Sequence, residues 1–65
     1  MNTARPLLTP EEVAEYLGIP LRSLYNWRYR GVGPRGYKVG KHVRYDAEDV
    51  RAWLQEHSDE AVGRL

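Results

Sequence analysis

Apolar residues recur at helical spacing in three stretches of this chain and alternate with polar ones in a fourth. Val13, Ala14 and Leu17 form one side of a first helix. Its start is written in Thr9-Pro10-Glu11-Glu12: Thr9 caps, Pro10 suits the first helical position, and Glu12 completes a capping box. Leu8 and Val13 stand at the two ends of a hydrophobic staple. Gly18 ends the helix where a left-handed residue is wanted. A second helix is predicted from near Pro20 to about Tyr29, stopped by Gly31, with Leu24 and Trp27 on its inner side. Arg22, Tyr25, Asn26 and Tyr29 follow the i, i+3, i+4, i+7 rule on its outer side. Only Gly18 and Ile19 remain between the two helices, so they must cross sharply and closely.

Gly31, Gly33, Pro34 and Gly36 break any helix, and the pattern then changes period. Tyr37 and Val39 are answered by Val43 and Tyr45 across Gly40-Lys41-His42, which predicts a β-hairpin. A three-residue loop pairs Val39 with Val43 and Tyr37 with Tyr45, and puts all four on one face. A two-residue Gly40-Lys41 loop sets Val39 beside His42 and mixes the faces. The first register is the one expected, with Lys38 and Arg44 sharing the solvent side and Lys41 at the tip. A last helix follows, capped by Asp46, with Glu48 and Asp49 near the positive end of its dipole. Its inward stripe is Val50, Trp53 and Leu54, ending near His57.

The predicted order is helix, helix, hairpin, helix in one small domain over residues 8–57. Residues 1–7 form a flexible N-terminus and residues 58–65 a loose tail. The fold class is mainly α with a β-hairpin.

Charge changes the picture more than composition does. The total is only +1. Yet from Tyr16 to Tyr45 there is no acid, against seven bases: Arg22, Arg28, Arg30, Arg35, Lys38, Lys41 and Arg44. The segments before and after carry −2 and −4. A basic block between acidic ends points to a surface for a polyanion.

Sixty-five residues without cysteine leave little room for a catalytic cleft and exclude disulfides and thiolate metal sites, which favours an intracellular home. No apolar run is long enough to span a bilayer and no signal-peptide pattern opens the chain, so no membrane role is expected. His42 and His57 lack the neighbours of a metal site. The carboxylates at Glu11, Glu12, Asp46, Glu48 and Asp49 are read as helix caps and first-turn acids. Five tyrosines lack the cluster of bases that a recombinase nucleophile needs. Gly36 to Lys41 lacks the spacing of a phosphate loop. No enzymatic activity and no cofactor are expected. Trp27 and Trp53 are read as core, since each lies on an apolar stripe.

Ala14, Gly18, Leu24 and Trp27 have the spacing of a helix-turn-helix unit. Ala14 is small where the second helix crosses, Gly18 makes the tight turn, and Leu24 and Trp27 seat the second helix on the first. An ordinary helical hairpin shares this apolar spacing. It does not account for an outer face of Arg22, Tyr25, Asn26 and Tyr29 with no acid among them.

From LLTPEEVAEYLGI to DVRAWL, about three quarters of its length, the chain resembles the small winged-helix excisionases related to the MerR-type DNA-binding domain. The matching features are that opening, the tryptophan closing the second helix, the Val39-Gly40-Lys41 tip, and Arg44-Tyr45 leading into DVRAWL. The resemblance implies a winged helix-turn-helix fold, origin in a phage or mobile element, and a role as a recombination directionality factor that steers a cognate integrase toward excision. Small transcription regulators share the architecture. Many members start the recognition helix with Ser or Thr, which touches a phosphate; here Pro20 stands there, and Ser23 is the candidate to take over.

Residue chemistry and resemblance lead to one assignment. Arg22 and Asn26 suit bidentate contacts to guanine and adenine, with Tyr25 and Tyr29 beside them for a phosphate or a thymine methyl. Ser23, Arg28, Arg30 and Arg35 are backbone candidates, although Arg28 flanks the apolar stripe and can equally snorkel. Lys38, Lys41, His42 and Arg44 belong to the wing. The expected partners are double-stranded DNA, an integrase, and further copies of the chain arranged head to tail on DNA, in the cytoplasm of a bacterial cell. A single module of this size buries only about 600–1,000 Å² of its surface on DNA, and the chain has no heptads for a dimer. A protein-interaction adaptor is the reading from a different class.

Overall fold

The computed structural model describes residues 6–58. Most of the expected N-terminal and C-terminal tails, residues 1–5 and 59–65, therefore lies outside the described residues. The elements are α1 (Pro10–Leu17), α2 (Leu21–Arg30), β1 (Gly36–Val39), β2 (His42–Tyr45) and α3 (Ala47–Glu56), in the predicted order.

The capping box forms as written. The Glu12 N–H donates to Thr9 Oγ1 at 3.1 Å, and the Thr9 N–H donates to Glu12 Oε1 at 2.9 Å. At the other end Gly18 is left-handed (φ 72°) and its N–H reaches back to the carbonyls of Ala14 and Glu15. The Ile19 N–H also donates to Ala14 O, at 3.0 Å, so the turn into α2 is closed within two residues. α2 starts at Leu21 behind an extended Pro20 and has no side-chain cap. Asp46 caps α3, its Oδ1 accepting from the Glu48 N–H at 2.9 Å.

Each layer gives the core a residue: Val13 and Ala14 from α1, Leu24 from α2, Tyr45 from β2 and Val50 from α3. Leu8, Leu17, Ile19, Leu21, Trp27 and Val43 pack around them. Burying an aliphatic or aromatic side chain contributes about 1.5–3 kcal/mol, so a core of this size leaves only a modest margin.

Two expectations are corrected here. The hairpin takes the other register: Gly36 pairs with Tyr45, Tyr37 with Arg44, Lys38 with Val43 and Val39 with His42, across a two-residue Gly40-Lys41 turn. Gly40 has φ 64° and no non-glycine among the described residues has positive φ, so only the first turn residue is left-handed, which is the φ pattern of a type II′ hairpin turn. Volume decides the register. A Cβ on Gly36 would sit 3.2 Å from the Tyr45 ring, so a glycine opposite Tyr45 seats the ring without displacing it, where a larger residue would crowd it. Faces are thereby exchanged. Lys38 shares a face with Val43 and Tyr45, whereas Tyr37 and Val39 share the other with Arg44 and His42.

The second correction concerns α3. Val50 is buried as expected, but Trp53 is only half-buried and Leu54 is 42% exposed. Trp53 is not sunk in the core. Its ring lies 5.5 Å from that of Trp27 and 4.4 Å from that of His57.

Candidate nucleic-acid interface

The outer stripe of α2 is where the sequence places it. Arg22, Tyr25, Asn26 and Tyr29 are all exposed, Tyr29 to 91%. Arg30, also exposed, donates from Nη1 to Asn26 Oδ1 at 3.2 Å, one helical turn back. That contact orients the Asn26 amide and leaves its NH₂ and a second oxygen lone pair available. Ser23 is half-buried in the first turn, its N–H bonded to Pro20 O at 3.0 Å. With no acid in the first turn and no side-chain cap, the leading N–H groups of α2 face a position suited to an anion.

The wing adds its own cations. Lys38, Lys41 and His42 are exposed, whereas Arg44 is half-buried and donates from Nη1 to its neighbour's carbonyl, Val43 O, at 2.8 Å. Arg35 is exposed just before β1, with Cζ 5.4 Å from the centre of the Tyr37 ring. The Tyr37 hydroxyl donates to Asp49 Oδ2 of α3 at 2.7 Å.

Arg28 differs from the other bases. It is half-buried, and its Nη1 would lie 2.8 Å from a Cβ on Gly36. It also faces Tyr45: burial pushes the Tyr45 hydroxyl above its ordinary value, with the Arg28 charge opposing. Arg28 thus lies between α2 and the base of the wing, its guanidinium beside Gly36 and Tyr45. The wing cations divide between the two hairpin faces: Lys38 lies on the face of Val43 and Tyr45, which turns toward Arg28, and His42 and Arg44 lie on the other.

Three relationships had no sequence signal strong enough to find them. Leu8 pairs with Tyr45 as an isolated bridge beside β2. Tyr37 and Asp49 lie twelve positions apart in different elements. The seat of Arg28 depends on the register that Gly36 allows. Among the described residues there is no group of three or more His, Asp or Glu side chains able to hold a metal ion, and no helix is long and apolar enough to cross a membrane.

Two helices crossed over a tight glycine turn, followed by a two-stranded hairpin and a closing helix, make a winged helix-turn-helix module. In modules of this class the second helix reads the major groove and the hairpin lies alongside. The chain belongs to the helix-turn-helix domain family, whose model matches residues 7–58. It is a DNA-binding protein by fold, of a kind whose members are as a rule binding modules and not enzymes. Comparison with curated proteins returns no match.

Proposed function

We propose that this protein is an excisionase, a recombination directionality factor that binds duplex DNA at attachment sites and bends it so that a cognate integrase excises. The observation that carries the DNA-binding part is the acid-free, exposed stripe of α2, Arg22, Tyr25, Asn26 and Tyr29, in a chain whose hairpin adds further cations. The excision role is supported by the sequence resemblance from LLTPEEVAEYLGI to DVRAWL.

In this reading Arg22 and Asn26 contact base edges, and Tyr25 and Tyr29 flank them. Arg30 both orients Asn26 and approaches the backbone. Ser23, Arg35, Lys38, Lys41, His42 and Arg44 position the duplex through its phosphates, and Arg28 holds the wing against α2. Several copies bind head to tail along the groove, acidic helix face to basic wing, and the partner integrase joins that array in the bacterial cytoplasm.

Replacing Arg22 or Asn26 by Ala should cost about 1–3 kcal/mol on the specific site and relax the preference at one base pair. Unchanged binding in both variants would remove α2 as the reading helix. The role itself is tested by supplying the protein to an integrase reaction on paired attachment sites. Stimulated excision supports an excisionase. Sequence-specific binding with no effect on excision, but altered transcription from a promoter carrying the site, identifies a small regulator. Binding to integrase without salt-dependent binding to DNA identifies an adaptor.

A further inference from the structure

An acid stands close to the basic surface and is used there. Asp49 is the third residue of α3, the position from which Glu12 in α1 turns back to its own cap. Asp is one methylene shorter than Glu, and Asp49 Oδ2 instead accepts the Tyr37 hydroxyl at 2.7 Å, a charge-assisted hydrogen bond between α3 and β1. The Tyr37 hydroxyl is held above its ordinary value, chiefly by this bond. Arg35 lies over the ring of the same tyrosine, 5.4 Å from its centre, in cation–π range. Three side chains from α3, β1 and the segment before it therefore form one line: carboxylate, phenol, guanidinium.

We propose that Asp49 is a positioning residue for the DNA contact: it latches Tyr37, and the Tyr37 ring fixes the Arg35 guanidinium for a backbone phosphate. The inference deepens the DNA-binding reading and rests on it only for the phosphate. A free arginine on an exposed loop loses rotamer freedom when it binds, and a guanidinium already held on a ring loses less. The latch also ties the wing to α3, toward the end of the hairpin away from the Gly40-Lys41 turn.

Charge and hydrogen bonding make opposite predictions, which lets them be separated. Asp49→Asn and Asp49→Ala both delete a negative charge near DNA, and charge alone would strengthen duplex binding equally in the two. Only Asp49→Asn keeps an acceptor for Tyr37. The latch predicts that Asp49→Ala binds the duplex roughly 3- to 10-fold more weakly than Asp49→Asn, the size of one ordinary hydrogen bond, and that Tyr37→Phe added to Asp49→Ala weakens it no further. Arg35→Ala should lower the slope of log affinity against log salt by about 1. Tyr37→Leu should lower it nearly as much, with little added by combining the two.

A measurement on the free protein keeps the latch separate from DNA binding. Amide exchange in β1 and β2 should quicken roughly 3- to 10-fold in Asp49→Ala and less in Asp49→Asn, which keeps an acceptor but loses the charge that strengthens the bond. Equal exchange in the two variants overturns the latch. Quickened exchange with fully additive Arg35 and Tyr37 effects on the salt slope overturns the positioning of Arg35. A wild-type protein that shows no salt-dependent duplex binding overturns the DNA reading instead, and exchange then decides the latch.

Discussion

Leu8 and Tyr45 exchange both of their backbone hydrogen bonds, Leu8 N–H to Tyr45 O at 2.7 Å and Tyr45 N–H to Leu8 O at 2.8 Å. The segment that leads into α1 therefore lies along β2 as a one-residue strand, and the base of the wing is paired on both edges. Tyr45 meets the rest of the molecule through its backbone at Leu8 and through its ring in the core. Tyr45→Ala should cost about 3–5 kcal/mol, as large aromatic truncations in cores do, and should lower the thermal midpoint steeply. A melt within a few degrees of wild type would contradict this packing.

The same ring makes stability sensitive to alkali. Burial raises the Tyr45 hydroxyl above its ordinary value, so the folded chain holds that proton more tightly than the unfolded chain does. Its contribution is whole below about pH 10, where unfolded tyrosine begins to ionise, and is lost as pH rises through the folded value. Tyr37 acts in the same direction through Asp49. The urea midpoint should fall above about pH 10, and Tyr45→Phe should flatten that fall. Equal alkaline loss in wild type and Tyr45→Phe would assign it to other groups.

The two-residue turn can be tested at Gly40. A side chain at φ 64° is strained although nothing crowds the position, so Gly40→Ala should cost about 1–2 kcal/mol. Gly40→Asn should cost less, because Asn tolerates the left-handed region. Thermal melts of the three proteins should rank glycine, asparagine, alanine. Melts of both variants equal to that of wild type would mean that the turn does not need a positive-φ residue at position 40.

Trp53 should matter less than its place on the apolar stripe implies. It is half-buried and rests on Trp27, so Trp53→Ala should cost about 1–2 kcal/mol, the scale of an aromatic pair and part of its burial. Denaturant titration gives the value directly. A loss near 4 kcal/mol, typical of a fully buried tryptophan, would place the ring in the core after all.

How much of this was legible in the sequence follows the range of each interaction. The helices and their ends rest on contacts three or four residues long, and Thr9, Glu12, Gly18 and Asp46 act as their spacing implies. The outward set on α2 was legible for the same reason, together with the absence of acids. The hairpin register was not, because it turns on whether the Tyr45 ring fits opposite Gly36, which no alternation of polar and apolar positions records. Leu54 was misread for a different cause. Periodicity tells which side of a helix faces inward but not how far the body beneath it extends, and α3 continues past its support at Val50. Arg28 sits between these cases: its place beside the stripe was visible, but its seat against Gly36 and Tyr45 was not.

The contact between Trp27 and Trp53 has an optical consequence. These are the chain's two tryptophans, and their rings lie 5.5 Å apart at an interplanar angle of 40°. All indole absorption and emission therefore arise at a single spot, where the recognition helix meets the closing helix. Two indoles so close and so tilted couple their transitions, and the near-ultraviolet circular dichroism carries the sign of their mutual twist. If the duplex contacts the exposed side of α2 that carries Arg22, Tyr25, Asn26 and Tyr29, it lies away from this half-buried pair. With the duplex seated on that outer face as proposed, a change in this signal on adding DNA reads a rotation of α2 against α3, so the protein carries its own unlabelled goniometer.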